Sequence, residues 1–114
     1  MIGRRRASPR VPVNEQVLLR EGDDDDVCPV LLSDLSCGGA CIRTDLRLAV
    51  GDVVWLAIEL DGEEPFEFAA KVLAVHAQDR ACYYEYGLRI VEATLENASR
   101  LNAFVDRREA GARR

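Results

Sequence analysis

The fold is decided by residues 53–75, which read VVWLAIELDGEEPFEFAAKVLAV. Residues 53–60 are rich in β-branched and aromatic side chains, which is the composition of a β-strand. Asp61 and Gly62 form a typical hairpin turn signal. Residues 66–75 then alternate in hydropathy and are expected to pair back on the first strand. This stretch therefore predicts a β-hairpin.

Further strand-like segments lie on both sides of this hairpin. They span residues 17–21, 27–35, 40–44 and 83–91. Short strands at about ten-residue spacing predict an all-β barrel or sandwich. The period changes after them, because apolar residues recur at helical spacing from residue 94 to residue 109. We expect a C-terminal helix, capped by Thr94, that covers an open end of the barrel.

The chain has 114 residues, of which 48% are hydrophobic, so it can close one core. No apolar run approaches the length of about 18 residues that a membrane-spanning helix needs. The basic N-terminus is followed by Ala-Ser-Pro and lacks the apolar core of a secretory signal. The sequence therefore predicts a cytoplasmic protein without membrane insertion.

Positive charge is concentrated at the ends of a chain whose net charge is −5. Fourteen of the fifteen basic residues are Arg, and those at the front are Arg4, Arg5, Arg6 and Arg10. Arg offers a planar fork of donors that grips phosphates and stacks on bases. An acidic run at residues 23–26 is typical of a solvated loop. Nucleic-acid binding needs a long basic face or a basic groove with interleaved aromatic residues, whereas this chain is net acidic and none of its seven aromatic residues clusters with the arginines, so we expect no DNA or RNA binding.

Catalytic and metal-binding patterns are missing from the sequence. It contains one His, His76, and four Cys with no CxxC pair, Cys28, Cys37, Cys41 and Cys82. Structural zinc sites normally use closely paired ligands, so we expect reduced cysteines and no metal. His76 lies on an alternating strand, where a lone His is usually a surface or rim residue. No phosphate-binding loop or dinucleotide fingerprint occurs either, so the sequence predicts neither an enzyme nor a resident cofactor.

Two segments are unusual for a plain barrel. Residues 5–10 read RRASPR, and residues 34–39 read DLSCGG. In this order and at this spacing the chain resembles the PilZ domain family, which is marked by an RxxxR arm and a later [D/N]xSxxG segment. The matching residues are Arg6 and Arg10, then Asp34, Ser36 and Gly39.

The resemblance implies a six-stranded antiparallel β-barrel with a C-terminal α-helix. It further implies that an N-terminal arm wraps a cyclic di-GMP molecule held on the barrel surface. The corresponding division of the chain is a flexible arm at 1–12, the barrel with its helix at 13–109 and a disordered tail at 110–114.

The resemblance assigns the arm arginines to the ligand. Arg6 and Arg10 would donate charge-assisted hydrogen bonds to phosphate or to guanine O6 and N7, and would stack on base faces. Arg5, directly before the motif, resembles the type that binds two intercalated ligands. An open alternative is that a basic arm merely keeps the chain soluble.

The second motif would read the base and admit the ligand. Asp34 would accept hydrogen bonds from the guanine N1–H and N2–H₂ groups, and Ser36 would bond a phosphate or ribose oxygen. Gly38 and Gly39 would let backbone N–H groups approach the ligand and would accommodate a positive φ. Alternatively, all four residues belong to an ordinary bulge, turn or hairpin corner.

These assignments predict a cyclic di-GMP receptor that changes conformation on binding and signals to an unidentified effector protein. The alternative is a PilZ-type interaction module that does not bind nucleotide. One departure from the family concerns residues 72–76, where many members place an aromatic residue that stacks on a base. Here the segment reads VLAVH, and His76 is the only ring nearby.

Overall fold

Six strands and one helix follow one another along the chain. They are β1 (Val11–Glu21), β2 (Val27–Leu35), β3 (Gly39–Thr44), β4 (Val53–Ile58), β5 (Phe66–Gln78), β6 (Tyr84–Glu92) and α1 (Leu95–Ala112). The structure is a computed structural model and describes residues 10–22, 26–59, 65–78 and 83–112.

The strands form one closed antiparallel barrel in the order β1-β2-β3-β6-β5-β4. Closure comes from β1, which pairs with β2 on one side and with β4 on the other. A closed barrel has no edge strand, because each strand has a paired neighbour on both sides. The all-β class and the six-stranded barrel with a C-terminal helix are thereby confirmed.

The barrel interior is filled by side chains from alternate positions of the strands. The largest of these fully buried side chains include Leu19, Leu32, Ile42, Leu56, Phe68 and Tyr86. Helix α1 adds Leu101, Phe104 and Val105, each no more than 2% exposed, to the same core. The apolar stripe predicted for the C-terminal segment therefore packs against the barrel.

Helix α1 begins as the sequence predicts. The hydroxyl of Thr94 accepts a hydrogen bond from the backbone N–H of Asn97 at 3.1 Å, so Thr94 is the N-cap. Within the described residues, no helix is both long and apolar enough to cross a membrane.

Two predicted boundaries differ from the observed ones. The barrel starts at Val11, not at residue 13, because Val11 is 2% exposed and pairs with Leu35 of β2. The alternation of apolar and polar residues does not reveal this start, because the pairing of β1 with β2 shifts its register between Pro12 and Glu15. At the other end α1 continues to Ala112, beyond the predicted boundary at residue 109. Residues 1–9 and 113–114 lie outside the described part of the chain.

The buried hydroxyl of Tyr86 fixes the loop after β3. It donates to the carbonyl of Leu46 at 2.7 Å and accepts from the N–H of Leu48 at 2.9 Å. We expect Tyr86→Phe to lower the free energy of unfolding by about 1–3 kcal/mol, because both backbone groups lose their partner. Tyr84→Phe is the matched control, with an expected change below about 0.5 kcal/mol. Urea unfolding measures both, and equal effects would contradict the assignment.

Candidate ligand-binding site

The end of the arm lies beside the second motif because of how β1 and β2 pair. Val11 is opposite Leu35 and Pro12 is opposite Asp34, so the residue that precedes β1 reaches the end of β2. There the guanidinium of Arg10 donates a hydrogen bond from Nη1 to Oδ1 of Asp34 at 3.2 Å. One residue from each sequence motif therefore meets in space.

This ion pair is exposed, and its partners are easily exchanged. The side chains of Arg10 and Asp34 retain 58% and 30% of their accessible surface. Exposed pairs of this kind are worth about 0–1 kcal/mol. A ligand that offers each partner a charged contact of about 1.5–3 kcal/mol would replace the pair at little cost.

The hydroxyl of Ser36 organises the turn between β2 and β3, which we call the glycine corner (residues 36–39). Its Oγ accepts from the N–H of Gly39 at 3.0 Å and from the N–H of Gly38 at 3.3 Å. The backbone N–H of Ser36 also donates to the carbonyl of Gly39 at 2.8 Å. Ser36 is 7% exposed, and its hydroxyl stabilises this turn. This is the structural role that the alternative interpretation of the second motif gave it.

The two glycines of the corner are needed for different reasons, and neither reason is a positive φ. Of the described glycines, those with positive φ are Gly22 and Gly51, so the expectation of positive φ at residues 38 and 39 was wrong. A Cβ on Gly39 would come within 2.6 Å of the backbone oxygen of Leu88. A Cβ on Gly38 would meet nothing within 4 Å. Gly39 thus permits the close approach of β6, whereas Gly38 leaves open space on the outer surface.

We expect Gly39→Ala to lower the free energy of unfolding by about 1–3 kcal/mol, because the new methyl group forces β3 and β6 apart. Gly38→Ala, one residue away, should change it by less than about 0.5 kcal/mol. Chemical denaturation of both variants provides the comparison. A Gly39→Ala protein as stable as the parent would show that the backbone of β6 adjusts freely.

Two charged residues beside this site, Arg43 and Glu85, were not predicted from the sequence. Cys41, which is paired with Asp34, donates from its thiol to Oε2 of Glu85 at 3.3 Å. Glu85 also lies 3.8 Å from Nε of Arg43. Arg43 follows Cys41 by two positions on β3, and this parity is the signal that would have placed it on the same outer face.

The surroundings of the two thiols near the site favour their protonated form. Burial is the largest cause that raises the pKa of Cys41, and its hydrogen bond to Glu85 raises it further against the opposing effect of Ser33. Burial also raises the pKa of Cys37, reinforced by Asp106 of α1 and by Glu109. A protonated thiol is a poor nucleophile and a poor metal ligand. We assign these two cysteines to packing and hydrogen bonding.

His76 lies against the same outer face. Its imidazole rests on Gly87, in the position that a Cβ on residue 87 would occupy. Gly87 is paired with Cys41, which is paired in turn with Asp34. Asp34, Cys41 and Gly87 therefore form a row across neighbouring strands, and the exposed imidazole of His76 lies at the end of that row opposite Asp34. Glycine within a strand often marks such a close approach.

The structure thus brings Arg10, Asp34 and the glycine corner together, and the predicted Arg5 and Arg6 lie outside the described residues. A family model, described as PilZ domain, matches residues 4–107. The chain belongs to the PilZ domain family. The PilZ match includes both sequence motifs and extends into α1.

Solved structures share the fold, and one of them is a PilZ domain by name. The Bacillus subtilis inhibitor of motility MotI/DgrA superposes with a TM-score of 0.76 at 20% identity, covering 97% of this chain and 54% of that protein. The present chain therefore spans about half the length of MotI/DgrA. The Escherichia coli YcgR PilZ domain with c-di-GMP gives a TM-score of 0.71 at 18% identity, covering 96% and 95% of the two chains. No curated protein sequence matches this chain significantly.

Proposed function

We propose that this PilZ domain is a cytoplasmic receptor for cyclic di-GMP and regulates a partner protein without catalysing a reaction. The observation that carries the proposal is the contact between Arg10 and Asp34 beside the glycine corner. This contact supports the proposal because a guanidinium suited to bind phosphate and a carboxylate suited to read guanine lie within reach of one compact ligand.

Binding would proceed by exchange of partners. The Arg10 guanidinium leaves Asp34 and donates to a phosphate or to guanine O6 and N7. The Asp34 carboxylate then accepts from the guanine N1–H and N2–H₂ groups, which adenine cannot supply in the same arrangement. Both charges have a partner before and after the exchange, so the bound state leaves neither of them unpaired.

The glycine corner would admit the ligand to this position. Ser36 holds the turn, and Gly38 leaves the outer surface open to a phosphate or ribose. Gly39 keeps β3 close to β6. We propose that Ser36 also meets a ligand oxygen when the turn adjusts, since a hydroxyl both donates and accepts.

Arg5 and Arg6 complete the proposed site from the arm. Arg6 is the first residue of the RxxxR motif, and Arg5 precedes it. An additional guanidinium there would stack on or pair with a second ligand, so we propose two cyclic di-GMP molecules for each domain. Ordering of the arm over the ligands would create a new charged surface for the partner protein.

Helix α1 would carry the change to a second surface. Nη2 of Arg108 lies 3.3 Å from Oε2 of Glu15, which follows the register shift at the start of β1. The charges of Asp106 and Glu109 act on Cys37 in the glycine corner. The same end of α1 therefore lies near both segments that bind the ligand in this proposal, which supports a role of α1 in carrying the change.

Calorimetric titration of the purified chain with cyclic di-GMP tests the proposal. We expect saturable binding at micromolar ligand with a stoichiometry near two. Cyclic di-AMP is the control ligand, and we expect no binding because its adenines do not match Asp34. Absence of heat with cyclic di-GMP would favour the interaction module that does not bind nucleotide.

A further inference from the structure

A cavity of about 280 Å³ lies on the outer face of β1, β2 and β3, apart from the residues assigned above to cyclic di-GMP. Its lining consists of Gln16, Pro29, Val30, Leu31, Arg43, Thr44, Asp45 and Tyr83. Register explains the grouping, since Gln16 is opposite Leu31 and Leu31 is opposite Arg43. Leu31 precedes Asp34 by three positions on β2, so the cavity is displaced along the barrel from the arm contact.

The polar groups around this cavity differ in what they offer a ligand. Arg43 contributes a guanidinium whose contact with Glu85 involves Nε, so the Nη groups can donate elsewhere. Asp45 is exposed and forms no hydrogen bond or ion pair within the described residues, so its carboxylate can accept. Gln16 supplies an amide that both donates and accepts.

The remaining lining is suited to a flat ring. Tyr83 keeps 54% of its surface exposed, although aromatic side chains are usually packed in a core or held at an interface. Pro29 and Leu31 provide apolar surface on the neighbouring strand. The volume is slightly below the range of about 300–1,000 Å³ typical of drug-sized ligands, so one base fits better than a whole dinucleotide.

Guanine matches this arrangement of groups. Its O6 and N7 atoms accept a bidentate pair from an Arg, which is the commonest contact that specifies guanine. Its N1–H and N2–H₂ groups donate to a carboxylate, and its ring stacks on an aromatic side chain. Adenine instead presents an amino donor towards the Arg and an N1 acceptor towards the carboxylate. We propose that the cavity binds a guanine base between Arg43 and Asp45, with Tyr83 as the stacking surface, as a second nucleotide site on this barrel.

Titration with GMP, followed by backbone amide NMR signals, tests the site. We expect GMP to shift the signals of Arg43, Asp45 and Tyr83 in a saturable manner, and AMP to bind about tenfold more weakly or worse. Asp45→Asn should weaken GMP binding by about tenfold or more, because the carboxylate that accepts two donors is lost. Asp26→Asn, which removes an exposed carboxylate outside the cavity, should leave the affinity unchanged.

Three results would overturn the proposal. The first is the absence of shifts at the cavity with GMP and with cyclic di-GMP. The second is equal affinity for GMP and AMP, and the third is equal affinity of the Asp45→Asn and parent proteins for GMP. The amide spectrum of each variant reports whether it is folded, so loss of binding is separated from loss of structure.

A further titration identifies the source of the base. Cyclic di-GMP added to an Asp34→Ala protein should still shift the cavity signals if the cavity takes a guanine from that dinucleotide. Shifts with GMP alone would assign the cavity to a mononucleotide, and both results support a guanine site. Because these readouts do not require Arg10 or Asp34, failure of the proposed receptor function would leave them intact, and their failure would leave the receptor function intact.

Discussion

Replacing Asp34 by Ala should weaken cyclic di-GMP binding by about tenfold to a hundredfold. The Asp34 carboxylate already contacts Arg10. We propose that it accepts hydrogen bonds from the guanine N1–H and N2–H₂ groups. Its removal leaves those donors without a charged acceptor, which costs about 1.5–3 kcal/mol. Calorimetric titration of the variant and of the parent protein measures the loss directly.

The effect should be specific to that position and coupled to the arm. Asp26→Ala removes an exposed carboxylate elsewhere and should leave the affinity unchanged. Arg10→Ala should also weaken binding by about tenfold or more. A double-mutant cycle then measures the coupling between Arg10 and Asp34, which contact each other before the ligand arrives. Parent-like affinity of either single variant would remove that residue from the site.

Replacing Phe104 by Ala should lower the free energy of unfolding by about 3–5 kcal/mol. Phe104 is 2% exposed, and its ring lies 6.2 Å from that of Phe66 and 4.9 Å from the guanidinium of Arg108. The substitution would open a cavity where α1 meets the barrel. It would also remove the aromatic support of the residue that pairs with Glu15. Urea unfolding followed by far-UV circular dichroism measures the change.

A control on the same helix is Asn102→Ala, which alters an exposed position and should change stability by less than about 0.5 kcal/mol. If Phe104→Ala retained parent-like stability, α1 would contribute little to the barrel core. If instead the far-UV signal alone changed and the near-UV signal of the tyrosines stayed, α1 would separate from a barrel that remains folded.

Much of the fold was predictable because most strands show a local signal. Residues 27–35 were predicted as a strand with the observed ends, since an acidic loop precedes them and glycines follow. The closed six-stranded barrel was expected from the family resemblance alone, and the order of strands around it was not predicted, because pairing between distant segments leaves no local pattern. The start of β1 was hidden for a local reason, since Asn14 has a φ of 56° within the register shift and interrupts the alternation.

The sequence predicted which residues form the candidate site better than it predicted what each residue does there. The motifs pointed to Arg10, Asp34 and the glycine corner, and the structure brings them together. The contact between a Cβ on residue 39 and the carbonyl of Leu88 depends on a strand far away in the sequence, so no motif reveals it. In the sequence, Arg43 and Asp45 resemble the polar residues of any solvated strand. Only the structure shows that they line the same cavity as Tyr83.

The position of Arg10 next to Val11 divides the proposed site into two parts with different evolutionary freedom. Every described strand pairing begins at or after Val11, so changes before it would alter the proposed recognition without breaking a described backbone hydrogen bond of the barrel. Gly39 has no such freedom, because its substitution disturbs β6 as well. Among descendants of this sequence, ligand preference should therefore diverge first through substitutions before Val11 and only rarely through the loop that joins β2 to β3.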